Sequence, residues 1–195
     1  NPWNPTGSAY SEDEIVKIAK LAKKHDLFIA LDEVYREFIY TNLKHFSILE
    51  DERFYDHAIL IDSTSKRYSL CGARIGFIVS KNSEFIETCL KFALTRLSPP
   101  TLALIAANEA LNSDKNYIKN VITEYSNRRK VLITELSKLQ DIKYSDPMGA
   151  FYSIIKLPVK DAEEFAKFLL TDFSVNNESV MVSPASGFYS SKDNG

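Results

Sequence analysis

The sequence predicts an α/β fold in which helices cover a mostly parallel sheet, followed by a smaller α+β domain. Short apolar runs of strand length alternate with longer segments whose apolar residues recur at helical spacing. The connections between them are short, and this alternation is typical of strand–helix units that build a parallel sheet. The composition also fits a globular protein, because 45% of the residues are hydrophobic and 26% are charged.

The first elements are one helix and three strands. The helix begins at Ser11, whose spacing to Glu14 is that of a capping box, and it ends near His25. The apolar runs after it predict strands at 27–34, 58–63 and 74–80. So small a sheet leaves at least one apolar edge without a partner, and such edges pair with other chains. We therefore expect the isolated chain to self-associate unless further chain packs against the first two strands.

Helical patterns dominate from Asn82 to a final mixed segment. Ser83 is expected to cap a helix that ends near Leu97, because Pro99 and Pro100 interrupt the pattern. The remaining periodicities predict helices at 101–111, 114–139 and 161–172, and strands at 149–156 and 180–183.

A long helix joins the two predicted domains. Residues 1–125 form the first domain and residues 126–195 form the second, which the chain enters through the helix 114–139. Turn-rich loops stand at both ends, around Asn1 and at 190–195, so both ends look cut. We expect residues before Asn1 to complete the sheet.

Charge, apolar runs and cysteines argue against several classes of function. The formal net charge of −2 provides no basic surface for nucleic acid or for an anionic membrane. No apolar run approaches the roughly 20 residues that cross a bilayer. Cys71 and Cys89 are not spaced like a disulfide pair or a metal site, which favours a reducing cytoplasm. Three histidines lack ligand spacing and are interpreted as surface residues, so no metal is expected: His25, His45 and His57.

Lys66 stands where a buried strand emerges into a loop that contains serine and glycine. A partly desolvated lysine loses its proton more easily, and its free amine can form a Schiff base with a carbonyl compound. Asp32 ends another apolar strand, where a carboxylate can face the pyridinium nitrogen of pyridoxal phosphate. Because ligands bind beyond the carboxyl ends of parallel strands, both side chains should face one crevice.

Three further polar residues accompany this pair. Tyr35 follows Asp32, Arg74 follows Lys66 in the same loop, and Asn4 lies in a turn that contains proline and glycine. Each residue by itself has an ordinary explanation, as a solvated strand end, a surface cation, an edge aromatic or a turn residue. Their occurrence together indicates a ligand site.

The order and spacing of these motifs resemble the class I and II aminotransferases, which are fold-type I pyridoxal phosphate enzymes, over essentially the whole chain. Asn1-Pro-Trp-Asn-Pro-Thr-Gly7 is similar to the family's NPxNPTG turn, and Ser63-Thr-Ser-Lys66 is similar to its SxSK motif. The resemblance implies that the chain holds part of the large domain, a mostly parallel sheet with helices, and then a truncated α+β small domain.

The resemblance also implies which residues contact the pyridine ring of pyridoxal phosphate. Asn4 and Tyr35 would share its phenolic oxygen, and Asp32 would pair with its ring nitrogen. The resembled turn usually contains a cis bond, so we expect the Asn4–Pro5 bond to be cis and to aim Asn4 at the cofactor.

For the rest of the cofactor, the resemblance implies that Lys66 is the internal aldimine lysine and that Ser63 and Arg74 bind the phosphate. A planar guanidinium suits phosphate because it can donate two parallel hydrogen bonds. The substrate amine would displace Lys66, which would then act as general base at the α-carbon and reprotonate the cofactor. A second keto acid would reverse these steps, giving ping-pong transamination.

The implied substrates are an amino acid, with aspartate favoured, and a 2-oxo acid. The family resemblance also implies a homodimer with active sites near the subunit interface. An excess of apolar residues around the proline break agrees with this: Phe92, Leu97, Leu102 and Leu104. The family's glycine-rich phosphate loop and ring-stacking aromatic belong before Asn1, and its carboxylate-binding arginine belongs beyond Gly195. We therefore expect the 195 residues alone to be inactive.

Two other functions stay open at this stage. The motifs serve the cofactor and do not decide the reaction, so a carbon–sulfur lyase or another α-carbon reaction fits them as well. A non-catalytic alternative is an aminotransferase-like sensor domain in a transcription regulator. That alternative requires a DNA-binding module upstream, and the chain itself shows no basic enrichment.

Overall fold

A sheet of three strands forms the centre of the larger part of the molecule. The computed structural model describes residues 1–190, except for the side chain of Lys115, so the terminal loop predicted beyond Ser190 lies outside the described residues. The strands of the main sheet are β1 (Ile29–Asp32), β2 (Ala58–Ser63) and β3 (Gly76–Val79). Helices before β1 and after β3 complete an α/β architecture, as predicted.

The pairing of the strands places the carboxyl ends of β1 and β2 side by side. These two strands are parallel, whereas β3 runs antiparallel to β2, with Ser63 opposite Gly76. The connection between β2 and β3 contains the short helix α2 (Thr64–Arg67), and β2 lies between β1 and β3 in the sheet. β2 therefore has two partners, and within residues 1–190 the open edges belong to β1 and β3.

Helix α1 (Glu12–Lys24) packs against this sheet and begins and ends as predicted. In its capping box, the Ser11 amide donates to Glu14 Oε2 at 2.8 Å, and the Glu14 amide donates to Ser11 Oγ at 3.4 Å. The helical spacing of its apolar residues brings one face of α1 into the first core. The buried members of this core are Ile15, Ala19, Leu31, Phe46, Ile48, Phe54 and Ala58.

A second core is aromatic. It combines the buried residues Tyr35, Phe38 and Ala150 with rings that include Tyr125 and Phe151. Tyr125 and Phe151 are stacked with ring centroids 4.9 Å apart, and Phe38 meets Phe151 edge-on at 5.4 Å. Offset and edge-to-face pairs of this kind stabilise a core beyond simple burial. This core joins the segment after β1 to the segment around Ala150.

The remaining helices agree with the predicted periodicities. They are α3 (Ser83–Thr95), α4 (Thr101–Leu111), α5 (Lys115–Leu136) and α6 (Ala162–Thr171). The cap of α3 was assigned one residue too late, because Asn82 Oδ1 accepts the Phe85 amide at 2.9 Å. No helix in the described part of the chain is long and apolar enough to cross a membrane.

The chain divides into two compact units. The larger unit contains Asn1–Thr134 and Asp146–Ser153, and the smaller contains Glu135–Ser145 and Ile154–Gly195. The segment 146–153 therefore belongs with the main sheet, although it follows α5 in sequence.

The smaller unit contains a two-stranded antiparallel sheet of β4 (Lys143–Tyr144) and β5 (Ile155–Lys156), together with α6. The strand predicted at 149–156 was too long, because Ala150 adopts a left-handed φ of 56° and turns the chain. Gly149 instead forms an isolated bridge with Ile39 in the larger unit. β4 was missed.

The strand predicted at 180–183 is absent from the described residues. Its apolar side chains lack a packed face, since Val180 is 60% and Met181 is 83% exposed.

Candidate active site

A cavity of about 630 Å³ runs along β1 and past its carboxyl end. This volume lies within the range of small-molecule sites. The cavity wall contains four of the six residues that the sequence singled out: Asn4, Asp32, Tyr35 and Lys66. It also contains Trp3 and Tyr152, which the sequence did not single out. The structure therefore gathers residues far apart in sequence around one space.

Lys66 reaches the cavity from α2. This helix begins directly after β2, and Ser63 caps it by accepting a hydrogen bond from the Ser65 amide at 3.0 Å. The Lys66 Nζ lies 5.9 Å from the centroid of the Tyr35 ring, and the lysine is partly buried. The position at a strand-to-helix junction therefore brings the amine to the carboxyl edge of the sheet.

Asp32 ends β1, and its carboxylate is exposed to the cavity side rather than buried in the core. Its Oδ1 accepts the amide of Val34 at 3.1 Å, which fixes the side chain at the end of the strand. A carboxylate has two oxygens and about four acceptor positions, so this single bond leaves capacity for a ligand.

The turn that carries Asn4 is held on the 146–153 segment. The Asn4–Pro5 bond is cis, as predicted. The Gly7 carbonyl accepts hydrogen bonds from the amides of Met148 at 2.8 Å and Gly149 at 2.9 Å. Gly7 has a φ of 69°, and a Cβ added to it would lie 2.3 Å from the Pro147 Cβ. A glycine is therefore required for this close approach.

Ser63 and Arg74 do not line the cavity. The Ser63 hydroxyl donates to the Ile75 carbonyl at 2.9 Å, and the exposed Arg74 donates through Nη1 to the Cys71 carbonyl at 3.0 Å. Both residues lie near α2, and the hydrogen bonds that they make are to neighbouring groups of the chain.

A pair of tyrosines was missed by the sequence reasoning. The hydroxyls of Tyr35 and Tyr152 lie 2.7 Å apart, and their rings meet edge-on with centroids at 5.6 Å. Burial raises the pKa of Tyr35, and the charge of Asp32 adds to the shift. Tyr35 therefore stays protonated and can act as a hydrogen-bond donor. Sequence offered no signal for the pair, because Tyr152 lies in a segment interpreted as strand.

A network of buried ion pairs holds α2 against β2 and the segment after β1. Arg67 follows Lys66, and its Nε lies 2.6 Å from Glu37 Oε1 while its Nη2 donates to Asp62 Oδ2 at 2.9 Å. Arg36 also approaches Asp62, at 3.3 Å. The side chains of Arg67 and Asp62 are only 9% and 8% exposed. These ion pairs join α2 to β2 and to the segment after β1.

Glu33 and His45 form a second buried contact. Glu33 is fully buried, and its Oε2 lies 3.5 Å from His45 Nε2. Burial raises the pKa of Glu33 and lowers that of His45, so the interior favours both groups in their neutral forms. The prediction that His45 is a surface residue was wrong, since its side chain is 17% exposed. Among residues 1–190, no group of three possible metal ligands was found.

The residues around the cavity fit pyridoxal phosphate by their chemistry. An amine, a carboxylate, a phenol and an amide face one space: Lys66, Asp32, Tyr35 and Asn4. These groups match an aldehyde, a basic ring nitrogen and a phenolic oxygen on one small ring.

Known proteins are similar to this chain over most of its length. A family model described as aminotransferase class I and II matches residues 1–193. An aspartate aminotransferase of Pyrococcus abyssi is 32% identical over 182 residues, which are 90% of this chain and 46% of that protein. An aromatic-amino-acid aminotransferase of Thermococcus litoralis is 29% identical over 192 residues, which are 96% of this chain and 48% of that protein.

A solved structure has a fold similar to that of this chain. The crystal structure of an aspartate aminotransferase from Thermotoga maritima matches with a TM-score of 0.76 and 30% identity. The match covers 88% of this chain and 44% of that structure. The chain thus spans about half the length of the proteins it matches.

Proposed function

Because the chain belongs to the class I and II aminotransferase family, we propose that the whole protein is a pyridoxal phosphate-dependent aminotransferase. Here the whole protein means the complete polypeptide to which this chain belongs. The observation that carries the proposal is the meeting of Lys66 and Asp32 on one cavity of about 630 Å³. Bound pyridoxal phosphate would supply an electron-accepting ring that stabilises negative charge at the substrate α-carbon.

The chain's own residues then have distinct roles towards the ring. Lys66 would hold the cofactor through Nζ, and the same amine would move a proton at the substrate α-carbon. Asp32 would pair with the ring nitrogen and favour its protonated form. Tyr35 and Asn4 would donate hydrogen bonds to the phenolic oxygen, a role supported by their places on the same wall.

Ser63 and Arg74 are proposed as phosphate ligands. Ser63 caps α2, which carries Lys66, and Arg74 lies in the connection from α2 to β3. Arg74 is exposed and its guanidinium donates only to the Cys71 carbonyl among the bonds of the described residues, so a phosphate can compete for its other donors.

The proposed reaction is exchange of an amino group between an amino acid and a 2-oxo acid by a ping-pong route, with aspartate as the favoured donor. Similarity to the aspartate aminotransferase of Pyrococcus abyssi supports the choice of aspartate. The similar aromatic-amino-acid aminotransferase makes tyrosine and phenylalanine the donors to compare with it.

A half-reaction assay tests this proposal. The whole protein, loaded with pyridoxal phosphate, is mixed with one amino acid and no acceptor. We expect aspartate to release about one equivalent of 2-oxo acid per site, and an added 2-oxo acid to restart turnover. Continuous product release without an acceptor would indicate a lyase instead and would contradict the proposal. Faster reaction with an aromatic donor would reject only the choice of aspartate.

We also propose that the whole protein is a homodimer with active sites near the interface. Helices α3 and α4 and the segment between them expose large apolar side chains in the described chain, with Phe92 at 71%, Leu97 at 83% and Leu102 at 81%. Exposed apolar patches of this kind mark association surfaces. Leu104, also named from the sequence, is 41% exposed.

Sedimentation of the whole protein at micromolar concentration should therefore show a dimer. Replacing Leu97 and Leu102 together by glutamate should shift it towards monomer, because two charges would be buried in the contact. The matched control replaces Val180 and Met181, which are also exposed, by glutamate and should leave the dimer intact. A monomeric unmodified protein would contradict the proposal.

Domain limits and location follow from the same assignment. The limit predicted at residue 125 falls inside α5, and we propose that the larger unit, Asn1–Thr134 with Asp146–Ser153, belongs to the large cofactor-binding domain and the smaller unit to the small domain. Free Cys71 and Cys89 support a reducing, cytoplasmic location.

A further inference from the structure

The tyrosine pair beside Lys66 points to a residue that acts on the site through another side chain. Tyr152 comes from the 146–153 segment, whereas Tyr35 follows β1, and the two hydroxyls meet at 2.7 Å. Tyr35 is 5% exposed, so its hydroxyl has few alternatives to this partner. Both residues also line the cavity.

The direction of the hydrogen bond between the two tyrosines follows from a count of hydrogens once Tyr35 donates into the cavity. A tyrosine hydroxyl has one hydrogen to donate and can accept as well. If Tyr35 donates its hydrogen into the cavity, the hydrogen between the two oxygens must come from Tyr152. A hydroxyl that accepts one hydrogen bond becomes a stronger donor of the next, because the chain of bonds polarises itself.

The backbone of Tyr152 is also packed under the turn that carries Asn4. A Cβ added to Gly7 would lie 2.9 Å from the Tyr152 carbonyl oxygen, which shows how closely the two segments approach. The backbone of Tyr152 therefore lies against the turn that carries Asn4, and its hydroxyl contacts the hydroxyl of Tyr35. These are the two residues assigned to the phenolic oxygen of the cofactor.

We propose that Tyr152 is a positioning residue that donates a hydrogen bond to Tyr35 and thereby directs the Tyr35 hydrogen into the cavity. This inference rests on the proposed function, since the hydrogen is aimed at the phenolic oxygen of pyridoxal phosphate. A stronger donor from Tyr35 stabilises the deprotonated, anionic form of that oxygen. Tyr152 thus lowers the pH at which the bound cofactor loses its proton.

The variant Tyr152→Phe tests the inference in the whole protein loaded with pyridoxal phosphate. It removes one hydroxyl and keeps the ring that packs on Tyr35 and Phe151. The matched control is Tyr40→Phe, which removes a hydroxyl that donates to the Ala150 carbonyl at 2.6 Å in the same aromatic core. The readout is the pH midpoint of the visible absorption change of the bound cofactor.

We expect Tyr152→Phe to raise this midpoint by roughly 0.5 to 1 pH unit, the equivalent of one hydrogen bond. Tyr40→Phe should lower the melting temperature but leave the midpoint unchanged. In a Tyr35→Phe background, Tyr152→Phe should have no further effect on the midpoint, because the relay is already broken.

The outcomes separate this inference from the function on which it rests. If the cofactor binds and Tyr152→Phe leaves the midpoint at the unmodified value, the positioning role is wrong and the proposed function stands. A shift that persists in the Tyr35→Phe background would also overturn the relay. If the unmodified protein shows no cofactor absorption, both proposals fail.

Discussion

Replacing Lys66 by alanine is expected to abolish covalent cofactor binding and to lower turnover of the whole protein by at least about 10²–10⁴-fold, the usual contribution of a general acid–base group. The loss has two causes, because the same Nζ attaches the cofactor and moves the proton at the α-carbon. The side chain faces the cavity from the short α2, and the next lysines in sequence lie outside the cavity wall. We therefore expect no other amine to replace it.

Two further variants and a chemical label sharpen this test. Lys66→Arg keeps the positive charge but should be as inactive as Lys66→Ala, because an arginine is not deprotonated in a protein. Lys44→Ala removes an exposed lysine outside the cavity and should leave turnover unchanged. Borohydride reduction followed by peptide mapping should place the pyridoxyl group on Lys66. A label on another lysine, or turnover retained in Lys66→Ala, would reject the assignment.

Replacing Arg67 by methionine is expected to lower the free energy of unfolding of the whole protein by about 3–5 kcal/mol. Methionine keeps much of the apolar volume, so the effect comes from the lost charge. The buried Asp62 and the partly buried Glu37 would then keep only Arg36 as a cationic partner. A buried charge without its partner costs far more than an exposed ion pair contributes.

Chemical denaturation of paired variants measures this difference. Arg128→Met is the matched control, because Arg128 and Glu124 form an ion pair whose side chains are 68% and 57% exposed. Its loss should cost at most about 0.5 kcal/mol. Equal costs for Arg67→Met and Arg128→Met would show that the buried network adds little. A drop in cofactor affinity in Arg67→Met alone would agree with its position behind Lys66.

Most of the candidate site was predictable from local sequence. Asp32 and Lys66 each follow an apolar strand, and parallel strands bring such positions together at one edge. Tyr152 was not predictable in this way. It lies 117 residues from Tyr35, and only packing of the aromatic core brings their hydroxyls into contact.

The helices were also local features. The limits of α1 follow from its capping box, and the helix that ends before Pro99 follows from the proline break. The strands were less certain in length and direction. The sequence from Gly149 predicts the start of a strand, but Ala150 has a left-handed φ and turns the chain. The Ala150 amide donates a hydrogen bond to the Phe38 carbonyl at 2.8 Å.

The sequence by itself determined the helices, the α/β class and the residues that face the cavity from β1, from α2 and from the first turn. Caps, helical spacing and strand-end positions depend on residues that are neighbours in sequence, so they can be predicted without knowing the tertiary structure. Only the tertiary structure decided the antiparallel direction of β3, the place of 146–153 beside the main sheet and the contact of Tyr152 with Tyr35. These features depend on contacts between distant segments, whose energies arise only when the core excludes water and the partners are already in place.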